Sequence, residues 1–97
     1  MITIGDIYTA VLGEYGLTKD ELFSPTKQRE IVDARKICIV LLRDKLRFTY
    51  TACGRLVRRD HATAIYSYKV AKALLRTDET IRYHYANVLQ RLEKKVK

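Results

Sequence analysis

The chain has 97 residues, 47% of them hydrophobic and 31% charged, and 19 Lys and Arg stand against 11 Asp and Glu for a net charge of +8. This length predicts one domain, residues 1–97, without room for an ATPase or nucleotide-binding core. No apolar run reaches the roughly 18 residues of a membrane-spanning helix, and the start of the chain lacks the residue order of a signal peptide.

The first two predicted helices are short and clearly delimited. Apolar residues recur at helical spacing from about Ile4 to Tyr15. Gly16 can adopt the left-handed backbone conformation that ends a helix. Thr18 and Glu21 have the spacing of a capping box, which opens one short helical turn that buries Leu22 and Phe23. Residues 24–26, Ser-Pro-Thr, then end this turn.

The middle of the chain predicts a long helix followed by two helices joined by a short turn. The longest helix is expected over about 27–45, and its segment 37–42 is apolar on all sides, which is typical of a central helix. A break at 47–49 precedes a short helix over about 49–57. Asp60 is then a good N-cap for a helix that reaches about Leu75.

The last predicted helix begins after Thr77 and Asp78 and is amphipathic. Its inward residues are Ile81, Tyr85, Val88, Leu89 and Leu92. Tyr83 is interpreted, with Tyr85, as a packing residue, and His84 receives no role. With four Gly and one Pro, and with no segment that requires a strand, the chain is predicted to be all-α.

The two cysteines and two histidines do not indicate a metal or redox site. Cys38 and Cys53 lie among apolar neighbours and are interpreted as buried thiols. Together with His61 and His84 they match no zinc-finger spacing. We therefore expect neither metal nor cofactor.

The positive charge is concentrated in the middle of the chain. The net charge is −3 over residues 1–25, +9 over 26–76 and +2 over 77–97, which adds to the total of +8. The surplus therefore coincides with the long helix and the helix–turn–helix after it. The second helix of such a unit can lie in the major groove of DNA, so the pattern favours nucleic acid as the partner.

Residues 54–66 read GRLVRRDHATAIY and resemble the signature GRxFGRDHSTVxxA of the C-terminal DNA-binding domain of the bacterial replication initiator DnaA. ITIGDI at 2–7, YGLTKDEL at 15–22 and KQREIVDAR at 27–35 resemble the same domain in the same order. The resemblance implies a bundle of about five to six helices that contains a helix-turn-helix, of the type also found in Trp repressor.

The resemblance also implies which residues contact DNA. Asp60, His61, Ala62 and Thr63 match the start of the family's recognition helix, which meets base edges in the major groove. Lys27 matches a basic residue that enters the adjacent minor groove. The other residues placed in the interface, as phosphate contacts or as neighbours of the recognition helix, are Tyr50, Thr51, Arg43, Lys69, Arg58, Arg59 and Tyr66.

Several of these positions depart from the family pattern. Ala62 replaces a hydroxyl residue, and loss of a good base contact removes about 1–3 kcal/mol of discrimination. Lys27 stands where the family generally has Arg, and Arg58 where it usually has Gly. Tyr66 and Tyr68 are unlike the small or imidazole residues expected there, although Tyr66 should point outward with Lys69. These departures predict a relaxed or altered sequence preference.

The function expected from the sequence is sequence-specific binding of double-stranded DNA at a DnaA-box-like site, without enzymatic activity. The chain would act as a small regulator of replication or transcription, in the cytoplasm with the nucleoid, and as a monomer on DNA. The alternative is a protein-interaction module that kept the fold and lost base reading, which Ala62, Arg58 and the additional tyrosines would support. RNA binding is disfavoured because no stacking platform of the sheet type is predicted.

Overall fold

Six helices follow one another in the structure, which is a computed structural model that describes residues 1–96. No strand occurs within that range, so the prediction of an all-α chain is confirmed. None of the helices in residues 1–96 combines the length and apolar character needed to cross a bilayer. The helices are α1 (Ile4–Tyr15), α2 (Lys19–Phe23), α3 (Arg29–Leu46), α4 (Tyr50–Leu56), α5 (His61–Thr77) and α6 (Glu79–Val96).

Local capping explains most of the helix ends. Thr18 and Glu21 form the predicted capping box at the start of α2, and Thr3 forms a second one with Asp6 at the start of α1. Gly16 ends α1 at a φ of 64°, in the left-handed region where glycine has no steric cost. These contacts all lie within four residues of each other, so sequence spacing alone predicts them.

Helix α3 begins two residues later than predicted, at Arg29 instead of residue 27, and ends at Leu46. The residues before it form an extended loop, in which the backbone N–H of Gln28 donates to the Thr26 hydroxyl at 3.2 Å. Lys27 is therefore a loop residue. The expectation that α3 is the longest helix is not met, since the described part of α6 also has 18 residues.

The core surrounds α3. Residues 37–42 are all at most 1% exposed, which confirms the prediction of a helix covered on all sides. Helix α3 packs against α1, α2, α4 and α5, while α6 packs against α1 and α5. The predicted inner stripe of α6 is buried at Ile81, Val88 and Leu92 and half-buried at Tyr85 and Leu89. The two thiols, Cys38 and Cys53, are buried and free.

Tyr83 does not pack into this core, and the interpretation of it as a packing residue was wrong. Its side chain is 64% exposed. Two positions along a helix from the buried Ile81 correspond to a rotation of about 200°, which turns Tyr83 away from the core.

A carboxylate network links α1 to α6. Glu14 Oε2 accepts a hydrogen bond from Asn87 Nδ2 at 2.9 Å and lies 2.8 Å from His84 Nδ1. The other carboxylate oxygen, Oε1, accepts from Arg91 Nε at 3.2 Å. Burial raises the pKa of Glu14, but the hydrogen bonds from Asn87, His84 and Arg91 outweigh burial and hold the pKa below its ordinary value. His84, which had no role in the sequence, therefore helps to join the two helices.

We expect Glu14→Gln to lower the free energy of unfolding at pH 7 by about 1–3 kcal/mol, the range for hydrogen bonds to a buried charged group. Because the pKa of Glu14 is lower in the folded chain, its contribution is complete above the unfolded-state value of 4.5 and is lost as the pH falls through the folded-state value. Urea unfolding at pH 7 and at pH 3 measures both. The variant should approach wild type at pH 3, and a constant difference would contradict the network; exposed Glu93→Gln is the control.

Candidate nucleic-acid interface

Helices α4 and α5 are joined by a tight turn of four residues, 57–60, which closes on Gly54. The Gly54 carbonyl accepts from the backbone N–H of Val57 at 3.1 Å and of Arg59 at 2.7 Å. A Cβ on Gly54 would lie 2.5 Å from the Arg59 carbonyl oxygen and 3.0 Å from that of Asp60. Only glycine allows this approach, so Gly54 sets the angle at which α5 leaves the turn.

Arg58 occupies a left-handed conformation in this turn, with a φ of 58°. This backbone conformation gives a physical reason for glycine at a matching position, since a side chain there costs about 1–2 kcal/mol. The exposed Arg58 guanidinium lies over the Phe23 ring, 4.9 Å from its centroid. This cation–π contact offsets part of the conformational cost. Its charge stands beside the start of α5.

The N-terminus of α5 is exposed and capped. Asp60 accepts a hydrogen bond from the backbone N–H of Thr63 at 2.7 Å, which confirms its predicted role as N-cap. This bond lowers the pKa of Asp60, so the side chain is an anion and an acceptor near neutrality. His61 and Ala62 are exposed and Thr63 is half-buried. The first turn of α5 thus presents free side chains at the positive end of the helix dipole.

The rotation of α5 about its axis is set by contacts with α3. The Tyr68 hydroxyl donates to Asp44 at 2.6 Å and Lys72 Nζ donates to the other Asp44 oxygen at 2.9 Å. With this side of α5 held against α3, Tyr66 and Lys69 face outward, as predicted, and Tyr66 is 68% exposed.

Two arginines hold the loop that carries Lys27 next to the α4–α5 turn. Arg35 is 8% exposed and donates to the carbonyls of Leu22, Ser24 and Thr26 at 2.8, 2.5 and 2.9 Å. Arg59 donates to the same Ser24 carbonyl at 2.6 Å and to its own turn at Arg58 at 2.9 Å. Lys27 itself is exposed. The sequence placed Arg59 in the interface, whereas its guanidinium is engaged with backbone carbonyls and connects the two loops.

Arg43 and Tyr50 form a second part of the candidate surface at the start of α4. The Arg43 guanidinium donates to the Phe48 carbonyl at 2.9 Å and lies 4.2 Å from the centroid of the Tyr50 ring. Tyr50 in turn meets the Tyr68 ring edge-on at 5.7 Å. Thr51 is exposed on the first turn of α4, whose N-cap is Thr49. Arg43 is thus held in place by its neighbours.

The structure therefore brings the predicted site residues into two connected groups. Lys27, Arg58 and the first turn of α5 are joined through Arg59, and Arg43 and Tyr50 are joined to α5 through Tyr68. The sequence gave Arg35 no role, although its place in the resembling segment 27–35 was a signal that could have drawn attention to it. Residues 1–96 contain no group of three or more His, Cys, Asp and Glu placed to hold a metal ion.

Comparison with known proteins identifies relatives of this chain. The chain matches a family model described as bacterial dnaA protein helix-turn-helix over residues 4–70. It is similar to the chromosomal replication initiator protein DnaA of Bacteroides thetaiotaomicron, at 27% identity over 97% of this chain and 20% of that protein. The DnaA of Thermomicrobium roseum is 36% identical over 86% of the chain and 18% of that protein. The chain thus spans about a fifth of the length of the curated relatives it matches.

Proposed function

The chain belongs to the family of bacterial DnaA helix-turn-helix domains, and on this premise we propose that it binds double-stranded DNA with α5 in the major groove. The observation that carries the proposal is the exposed, dipole-positive first turn of α5, held at a fixed angle by the Gly54 turn and flanked by basic side chains. A helix in this position reads base edges with its N-terminal residues.

Each part of the surface has a separate task in this proposal. Asp60 accepts from a base donor such as cytosine N4, and the His61 ring packs on a thymine methyl. Lys27, on its loop, enters the adjacent minor groove. Arg58, Lys69 and the Arg43–Tyr50 pair lie beside the phosphate backbone. The backbone N–H groups at the start of α4 are further phosphate donors.

The proposed role is that of a sequence-specific regulator of replication or transcription at a DnaA-box-like site. The 97 residues act in this proposal as one domain, as a monomer on DNA and without catalysis. The departures at Ala62 and Arg58 support a changed sequence preference, because one polar base contact is absent and one charge is added.

Titration of the protein against a DnaA-box duplex and a scrambled duplex, each at two salt concentrations, tests this function. Box binding that is about tenfold tighter or more, roughly 1.4 kcal/mol, supports base reading at that site. Equal affinities with a steep salt dependence indicate phosphate contacts alone, and selection from random duplexes then searches for another site. No binding to any duplex rejects the proposal in favour of a protein-interaction module.

We expect K27A and H61A each to weaken duplex binding while the fold is retained, because both side chains are exposed. H61A should cost about 1–3 kcal/mol and relax the preference at one base position, whereas K27A should act more uniformly across sequences. Fluorescence anisotropy measures the binding and circular dichroism the fold. Lys94→Ala, an exposed lysine on α6, is the matched control. Wild-type affinity in both variants would contradict the proposed surface.

A further inference from the structure

Tyr66 is an exposed aromatic residue on the outward face of α5. Within residues 1–94, the large apolar side chains that are mostly exposed are Met1, Tyr66 and Tyr83, and of these only Tyr66 lies on α5. The other tyrosine of α5, Tyr68, is held by Asp44. A single exposed tyrosine is common on protein surfaces and does not by itself indicate a site. Its position relative to Ala62 is what gives Tyr66 significance.

Ala62 and Tyr66 are four residues apart and therefore lie on the same face of α5. Side chains on a helix incline toward its N-terminus, which directs the Tyr66 ring toward the turn that carries Ala62. Ala62 is exposed and small, which leaves the space beside the ring open. Together the methyl group and the ring make an apolar strip that runs from the first turn of α5 into the second.

The contacts between α5 and α3 keep this strip turned outward. Ala64 and Ala71, on the opposite side of the helix, are fully buried, and Tyr68 and Lys72, to one side of the strip, are both bound to Asp44. Lys69 follows three residues after Tyr66 on the outward face and is also exposed. The order along the face is therefore apolar, apolar and basic, which places the apolar strip nearer the base-reading end and the charge farther along, where phosphates pass.

Given the proposed function, on which this inference rests, we propose that Tyr66 is a specificity-determining residue that reads thymine. With Ala62 it forms an apolar surface for the C5-methyl group, the feature that distinguishes thymine by apolar contact in the major groove. The aromatic ring adds apolar area without a requirement for a hydrogen bond at the base edge. Ala62, in place of a hydroxyl residue, and Tyr66 then both favour thymine at the same base position.

Deoxyuridine tests this directly, because it pairs as thymine does and lacks only the methyl group. The probe is the duplex that the wild-type protein enriches most from a random-sequence pool, made once with thymine and once with deoxyuridine throughout. We expect wild type to bind the deoxyuridine duplex about fourfold more weakly or worse, the equivalent of one buried methyl group. Tyr66→Ser should reduce this ratio and the double variant A62S/Y66S should reduce it further, while the discrimination that remains belongs to the His61 ring. An unchanged ratio in Tyr66→Ser would overturn the proposal.

Two controls separate the ring from other effects. Tyr66→Phe keeps the ring and should keep the discrimination, whereas a loss as large as in Tyr66→Ser would assign the effect to the hydroxyl and overturn the proposal. Tyr83→Ser removes an equally exposed tyrosine from α6 and should behave as wild type. Equal binding of both duplexes by wild type overturns the role of Tyr66 and leaves DNA binding intact. No binding to any duplex overturns both.

Discussion

Gly54→Ala is expected to lower the free energy of unfolding by about 2–4 kcal/mol, because the added methyl group has no room. The new Cβ would lie 2.5 Å from the Arg59 carbonyl oxygen and 3.0 Å from that of Asp60. Both obstacles are backbone atoms, which cannot rotate away as a flexible side chain can. Relief of the clash requires the α4–α5 turn to open, and the hydrogen bond from Arg59 to the Gly54 carbonyl would be weakened.

Gly5→Ala is the matched control, since it makes the same chemical change in an open helical position. A Cβ on Gly5 meets only the Thr3 hydroxyl, at an ordinary 3.7 Å. Alanine is favoured over glycine within a helix by about 0.5–1 kcal/mol, so this variant should be equal to or more stable than wild type. Urea unfolding of both variants measures the contrast. Equal effects of the two substitutions would contradict the close approach at Gly54.

Gly54→Ala should also weaken duplex binding beyond the loss that unfolding explains. The turn sets the angle of α5, and a shift there moves the whole first turn of that helix relative to the Lys27 loop. Anisotropy at a temperature where the variant remains folded, as judged by circular dichroism, separates the two effects. Wild-type affinity of the folded variant would show that the angle of α5 does not govern binding.

Arg35→Met is expected to cost about 2–4 kcal/mol, because it leaves buried carbonyl groups without a donor. Arg35 donates to the backbone carbonyl of Leu22 in α2 and to those of Ser24 and Thr26 in the loop before α3, and methionine keeps its approximate volume without its donors. Ser24 retains a partner in Arg59, whereas the carbonyls of Leu22 and Thr26 lose theirs. Since small domains are stable by only about 5–15 kcal/mol, this loss is a large part of the total.

Arg35→Lys and Arg76→Met complete this test. Lysine keeps the charge but cannot reproduce the planar set of donors, so it should recover little of the stability. Arg76 is exposed near the end of α5, and its substitution should change stability by no more than about 0.5 kcal/mol. Thermal unfolding of the three variants measures their order of stability. A fully stable Arg35→Met would show that the loop is held by other contacts.

The sequence was sufficient to predict most helices and their ends. The capping box at Thr18, the left-handed stop at Gly16 and the N-cap at Asp60 are confirmed. Each depends on side chains and backbone groups within about four residues, and such contacts form in the same way wherever the helix is placed. The apolar segment 37–42 likewise predicted the central helix, because only complete burial suits a helix that is apolar on all sides.

The placement of the candidate site could be predicted only in part. The resemblance put the interface on α4, α5 and the residues before α3, and the structure brings these segments together. Which of its arginines are free and which are bound was not predictable. Arg59 is bound to backbone carbonyls of a loop 35 residues earlier in the chain, and Arg43 lies over Tyr50. Such contacts depend on distances between helices, and these cannot be read from the spacing of residues along the chain.

The order, type and buried face of the helices can therefore be derived from residue order alone, because they follow from local hydrogen bonding and from the period of apolar residues. The roles of Gly54, Arg35 and Glu14, in contrast, depend on how the helices pack together. Gly54 is required by the backbone of the turn that approaches it, Arg35 by carbonyls of α2 and the loop after it, and Glu14 by partners on α6. In each case packing of the core brings the partner near, so the residue stabilises the fold only after that packing has formed.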